Sequence, residues 1–225
     1  LNNYSFHPIA DDALLIQFNV PDKQKLLLFI HHLTDVLLRC KFDGVVDIVP
    51  AFESVAIYYN PLTYTYQKMI NMIEPHLKVE EELGNMDARI ITIPICYDES
   101  VALDLVQVAE QHNLTTFDVV NIHSSPIYTV AIMGFLPGFP YLIGLDERLW
   151  TPRKATPRTH VPKGAVGIGG SYTGIYSLPS PGGWNIIGQT PLSLYNNTQP
   201  NSFLLQPGDQ VTFQPITKKE LEGWQ

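Results

Sequence analysis

Cysteine, positive charge and long apolar runs are all scarce in this sequence, and each scarcity closes off a class of function. Only Cys40 and Cys96 occur, 56 positions apart, with no CxxC partner and no neighbouring histidine pair. Neither a disulfide framework nor a zinc site is indicated, and two buried free thiols are expected. Lys and Arg number 14 against 22 Asp and Glu, a formal charge of -8. Nucleic acid and anionic membrane both require clustered positive charge, so neither is expected as a partner. The longest apolar stretches, such as Leu26 to Ile30, fall far short of the ~20 residues that span a bilayer, and no basic-then-apolar leader opens the chain. Cytoplasm is the default expectation. Absent too are GxxxxGK[ST], HExxH, GxSxG and GxGxxG; the nearest approach, GAVGIGGSYTG, fails every one of those spacings.

What is present is ample apolar material, 45% of 225 residues, enough to bury roughly 70–75% of the unfolded surface in one large domain or two modest ones. Residues 12–18 (DALLIQF) read as a strand. After Pro21, Leu26, Ile30, Leu33 and Leu37 recur at helical spacing, predicting a helix to about Arg39. VVDIVP and SVAIYYN follow as a hairpin, Asn60-Pro61 signals a second helix carrying Tyr66, Met69, Ile70 and Ile73, and that helix should end near Pro75. A last strand near 77–82 would complete β-α-β-β-α-β, the order of a ferredoxin-like split unit. The acidic stretch EEELGNMDA supplies a linker at about 83–88, giving domains 1–85 and 86–225. Beyond it, RIITIPICY is β-rich, Ser100 is positioned to cap a short helix, and Thr115 with Asp118 has capping-box spacing for another. From residue 127 onward, β-runs (IYTVAIM, VGIGG, GIYSL, WNIIG, LSLY, FLLQ, VTFQPI) are punctuated by Gly and Pro, which predicts a closed or nearly closed barrel and an α+β chain overall.

Chemistry concentrates in one stretch. Eleven of the 15 glycines lie between Gly134 and Gly188, with seven prolines, a density that serves either tight barrel corners or a ligand-cradling loop. Residues 134–190 also hold five basic groups (Arg148, Arg153, Lys154, Arg158 and Lys163) against Asp146 and Glu147. In TPRKATPRTHVPK three of them follow proline at intervals of five, so the run should be extended and poor in ladder hydrogen bonds. Its side chains could converge on a carboxylate or phosphate, or simply pair with an acidic surface. GFLPGFPYL places Phe135, Phe139 and Tyr141 where helix or central strand is disfavoured, as an aromatic pocket wall, a partner surface or core beneath a loop. His123 precedes the chain break SSP and is a candidate general base or oxyanion donor, or only a helix-terminal cap. His160, inside the basic loop, is a better candidate than His31 or His32.

The run GFLPGFPYLIGLDERLWTPRKATPRTHVPKGAVGIGGSYTGIYSLPSPGGWNIIGQTPLSLY resembles the signature of the allophanate hydrolase subunit 1 family, also described as carboxyltransferase subdomains C and D, which includes the B component of 5-oxoprolinase and the sporulation kinase A inhibitor. The upstream element order and Ile122-His123 are similar too. The resemblance implies a ferredoxin-like N-terminal domain, a cyclophilin-like C-terminal β-barrel, and a subunit 2 (C) family partner encoded alongside. It further implies a component of an ATP-dependent amide hydrolase that opens 5-oxoproline to glutamate, with ATP and Mg acting at the level of the complex; the alternatives are a urea or allophanate carboxyltransferase-like component and an inhibitor that binds a histidine kinase. Carried over by residue, the signature loop is Gly134, Phe135, Pro137, Gly138, Phe139 and Pro140, followed by Tyr141; the glycine-rich return is Gly169, Gly170, Thr173 and Gly174; and Trp184 closes the next motif. Arg153 and Arg158 are expected to stabilise an anionic amide-derived species, with His123 as proton carrier and Lys163, His160, Gln189 and Thr190 as anion-binding neighbours. Where relatives read G-[RK]-T-P this chain has Gln189, which replaces a positive charge with a neutral hydrogen-bond donor.

Overall fold

The computed structural model describes residues 3–78, 89–198 and 202–224, and the chain divides into two compact units, Leu1–Asp87 and Ala88–Gln225. The linker expected at 83–88 lies outside the described residues.

The first unit is a four-stranded antiparallel sheet with helices packed on it. Its elements are β1 (Tyr4–Ala10), β2 (Ala13–Phe18), α1 (Lys23–Cys40), β3 (Val45–Pro50), β4 (Ser54–Tyr59) and α2 (Tyr66–Ile73), in the sheet order β1-β2-β4-β3. Helix α1 starts where the Asp22 side chain accepts from the Lys25 N–H at 3.0 Å and stops at Lys41, which turns into the left-handed region (φ 47°). Its periodic face, Leu26, Phe29, Ile30, Leu33 and Leu37, is buried against Leu14, Ile16, Val55 and Ile57 of the sheet. Each such side chain contributes about 1.5–3 kcal/mol. Cys40, at the end of this helix and off that face, is exposed, so only Cys96 is the buried thiol expected of both. The second helix begins later than Asn60-Pro61 suggests. Asn60 closes a turn by accepting from the Leu62 N–H, and the true N-cap is Thr65, which accepts from Lys68. Pro75 falls in a 3-10 turn (Glu74–Lys78) that buries Leu77. The strand expected at 77–82 therefore begins as that turn, and its remainder lies outside the described residues. Strand β1, which no sequence signal announces, pairs with β2 and occupies the sheet edge where a ferredoxin-like unit places its last strand.

The second unit is a closed seven-stranded barrel of cyclophilin-like type. Its strands are β5 (Ile90–Cys96), β6 (Tyr128–Met133), β7 (Pro140–Ile143), β9 (Ala165–Gly169), β10 (Tyr172–Ile175), β12 (Asn185–Gln189) and β13 (Gln210–Ile216), closed in the order β10-β7-β6-β13-β5-β12-β9. Strands β5 and β13 run parallel. Between β5 and β6 lie α3 (Leu105–Gln111) and α4 (Thr116–Ser124); β8 (Arg158–Val161) and β11 (Ser180–Gly182) form a separate two-stranded ribbon, and α5 (Lys218–Glu222) follows β13. The capping box at Thr115 and Asp118 is present. Ser100 instead bonds Asp98, and α3 begins at Asp104. Pro140–Ile143, expected as loop, is a barrel strand, with proline tolerated at its first position. LSLY and FLLQ contribute only the bridge Tyr195–Phe203, while Leu194 and Leu205 fill the core. Among the described residues no helix is long and apolar enough to cross a membrane.

Candidate functional site

The signature loop and the basic loop meet at one cavity of about 250 Å³, lined by Phe135, Phe139, Tyr141, Arg153, Pro157, Tyr176, Pro181, Gly182, Gly183 and Trp184. The loop Gly134 to Pro140 reaches it by a tight reversal. Phe135 (φ 69°) and Gly138 (φ 78°) both take left-handed backbone, and the Gly134 N–H closes on the Phe139 carbonyl at 3.1 Å. At Gly138 a side chain is doubly excluded, because a Cβ would stand 2.9 Å from that of Tyr195. The Pro137 carbonyl accepts from Ser177 Oγ at 2.7 Å, which pins the turn.

Phe139 is the hub of the walls. Only 1% exposed, it meets Phe135, Tyr141, Tyr176 and Trp184 edge-on at centroid distances of 5.1–5.4 Å. Each such contact adds about 0.5–1.5 kcal/mol beyond burial. The glycines of the β9–β10 return admit Trp184: a Cβ on Gly169 would lie 2.5 Å from its indole, and one on Gly174 2.7 Å from the Pro140 carbonyl and 3.0 Å from the same ring. Gly170 sits at the hairpin tip, bridged to Thr151. Burial raises the Tyr176 phenol above its ordinary range, so it stays a neutral donor.

The basic residues divide into paired and unpaired. Asp104, 2% exposed, accepts from Arg158 Nη1 and Nη2 at 2.7 Å each, from Lys154 Nζ at 2.8 Å and from the Ile186 N–H at 2.7 Å. Burial works against its charge, but these donors outweigh it and hold the carboxyl below the usual range. Arg158 is thus a structural clamp and not a free anion binder, a correction to the role expected of it. The carboxylate engaged there also explains why α3, whose N-cap is Asp104, has no side-chain cap. Arg148 pairs with Asp146. Among the described residues, Arg153 alone reaches the cavity free of carboxylate, its guanidinium 5.9 Å from the Trp184 ring centroid in cation–π geometry. Lys163 bonds Ser193 Oγ, Gln189 donates to the Lys163 carbonyl, and the Thr190 hydroxyl accepts from Leu192. Lys163 and Gln189 tie the loop at 163 to residues 189 and 193, Thr190 closes a local turn, and neither these three nor the exposed His160 line the aromatic cavity.

His123 is elsewhere again. It is 0% exposed inside the barrel, stacked on Phe213 at 4.8 Å, with Nδ1 2.8 Å from Tyr97 Oη and Nε2 2.9 Å from Thr173 Oγ1. The Thr173 hydroxyl donates to the Gly167 carbonyl, so its oxygen accepts from Nε2–H and Nδ1 accepts from Tyr97. Burial lowers its pKa to about 3. It is a neutral, fully buried core residue that lines neither the aromatic cavity nor the larger recess beside the signature loop, which removes it as proton carrier. Sequence reasoning missed Asp104, whose only signal is an acidic residue before an apolar helix, and Tyr176, which reads as an ordinary β-run residue.

A larger recess of about 530 Å³ on the other side of the signature loop is lined by Met133, Phe203, Leu205 and Pro207 with the loop itself. Among the described residues no charged side chain lines it to orient a polar substrate, so the smaller aromatic cavity is the better candidate.

The 5-oxoprolinase B subunit of Bacillus subtilis (strain 168) is 32% identical over 231 residues, covering 98% of this chain and 96% of that protein. Its counterpart of the same name in Haemophilus influenzae is 42% identical over 169 residues, covering 75% and 78%. The crystal structure of TTHA0988 matches with a TM-score of 0.79 and 34% identity over 91% of this chain, which spans 40% of the length of that one. Matched over residues 4–205, the chain belongs to the family of the carboxyltransferase domain, subdomain C and D.

Proposed function

We propose that this chain is the B-type component of an ATP-dependent 5-oxoprolinase, which opens the lactam of 5-oxoproline to glutamate together with a C-type partner, and that the aromatic cavity holds the substrate. One observation carries the reading: in a chain 32–42% identical to 5-oxoprolinase B subunits, a guanidinium without a carboxylate partner among the described residues stands at the rim of a small aromatic cavity. The substrate is a small ring bearing a carboxylate and an amide. Phe139, Tyr141 and Trp184 offer faces and edges to the ring, Arg153 offers a charge-assisted bond to the carboxylate, and the Tyr176 phenol a donor to the amide oxygen. A cavity of about 250 Å³ lies below the usual range for drug-sized ligands, as a single-ring substrate requires.

ATP with magnesium would supply a phosphoryl group that turns the lactam oxygen into a leaving group. The sequence has no phosphate loop, and among the described residues no group of three His, Cys, Asp or Glu is placed to hold a metal ion. In this reading nucleotide and metal act at the level of the assembled complex, and the aromatic cavity of this chain binds and orients the lactam.

The test is co-expression with the C-type partner, followed by measurement of glutamate formed from 5-oxoproline and ATP with the third component present. Arg153→Ala should lower kcat/KM roughly 10- to 150-fold, mostly through KM, the value of about 1.5–3 kcal/mol for a hydrogen bond to a charged group. Unchanged turnover would remove the cavity from the reaction. A complex that carboxylates urea instead would replace lactam opening with carboxyl transfer.

A further inference from the structure

Arg153 has a second neighbourhood. Besides the aromatic cavity it lines a separate polar cleft of about 290 Å³ with Gln107, Gln111, Lys154, Thr156 and Asn185. We propose that this cleft is an anion subsite that takes a phosphate-class oxyanion beside the substrate cavity.

Three features point to that chemistry. Among the described residues no acidic side chain lines the cleft, in a chain of formal charge -8. The carboxylate just behind it, Asp104, is shared by two cations; with Arg153 the local balance is three positive groups to one negative. The second feature is a surplus of donors. Between Pro152 and Pro157, neither of which has an N–H, the backbone N–H groups of Arg153, Ala155 and Thr156 meet no acceptor among the described residues. Gln107 accepts from Lys154 through Oε1, its NH₂ meets no acceptor among the described residues, and Gln111 and the Thr156 hydroxyl make no hydrogen bond among them. The Arg153 guanidinium and the two glutamine amides line the cleft, with the loop residues Ala155 and Thr156 beside them, a donor-rich set that suits a tetrahedral oxyanion.

The third feature is preorganisation. The loop is held at Lys154, whose N–H donates to the Gly183 carbonyl at 2.7 Å, and at Pro152, whose carbonyl accepts from Asn185 Nδ2 at 2.9 Å. Lys154 and Arg158 are both fastened to Asp104. A loop already fixed loses little further freedom when the anion arrives. Because one guanidinium borders both spaces, an anion in the cleft and a substrate in the cavity share it.

The assignment rests on the proposed function only for the anion's role in the reaction; binding itself is measured on this chain alone. Inorganic phosphate is titrated against the purified chain at constant ionic strength and followed by calorimetry, with metal-free ADP and ATP in parallel. Saturable phosphate binding is expected, weakened by about 10-fold or more in both Arg153→Gln and Gln111→Glu; circular dichroism confirms that these exposed substitutions leave the chain folded. Nucleotide that displaces phosphate and binds more tightly would identify a terminal phosphoryl group as the source, and nucleotide no tighter than phosphate would identify the free ion. Absence of saturable phosphate binding, or equal affinity in both variants, overturns the subsite. A separate 5-oxoproline titration that shows no binding would count against the substrate reading without touching this one.

Discussion

Replacing Asp104 by alanine removes the group on which the site's geometry converges. Its carboxylate is 2% exposed and accepts four hydrogen bonds of 2.7–2.8 Å. Breaking a buried pair by deleting one partner costs about 3–5 kcal/mol. The side chains left behind, Lys154 and Arg158, are 22% and 25% exposed and can partly rehydrate, so the lower end, about 3 kcal/mol, is expected. Arg158→Ala leaves the carboxylate two donors and should cost only about 1–2 kcal/mol. At about 3 °C per kcal/mol for a unit of this size, Asp104→Ala should lower Tm by about 10 °C, read by circular dichroism with urea midpoints as a check on cooperativity. The double variant should fall short of the sum of the singles by at least about 0.5 kcal/mol. The pH dependence has a definite sign. A carboxyl held below its ordinary pKa stabilises the fold above about pH 4, and that contribution disappears as pH drops through the lower folded-state value, so wild type and variant should converge only in acid. A Tm within about 1 °C of wild type, or an Arg158→Ala loss as large as that of Asp104→Ala, would refute Asp104 as the hub.

Two further outcomes are expected of the barrel. His123, with a folded-state pKa of about 3 and an unfolded value near 6.5, should make stability fall by about 1.4 kcal/mol per pH unit as pH drops below about 6.5. His123→Phe should cost about 1–3 kcal/mol at neutral pH, because Tyr97 loses its buried acceptor, and should flatten that slope; urea midpoints at pH 7 and 5 decide, and an unaltered slope refutes the assignment. Gly169→Ala should cost about 1–3 kcal/mol by overpacking Trp184, and should shift the tryptophan emission. Wild-type stability and spectrum would show that the ring is not held where described.

Some of the fold is legible because it depends on local pattern. Leu26, Ile30, Leu33 and Leu37 lie on one face wherever a helix forms, and the alternation of β-runs with Gly and Pro after residue 127 favours a closed sheet whatever the register. Strand β1 is harder to see because YSFHPIA carries a proline and little alternation; it is held by its pairing with β2, a contact its own composition does not announce. Pro140–Ile143 hides for the same reason, since proline argues against a central strand and only the neighbours β6 and β10 override it.

The sequence by itself determined which side chains would be available for chemistry: an aromatic loop, a proline-spaced basic run and glycines slim enough to admit a large ring. Tertiary structure alone decided which of them are free to act. Arg153 and Arg158 are five residues apart and chemically alike, yet Asp104, 54 positions from Arg158, neutralises one and leaves the other open. His123 looks reactive in the sequence and is sealed between Tyr97 and Thr173. Charge pairing and desolvation depend on distance through space, which composition and local spacing do not encode.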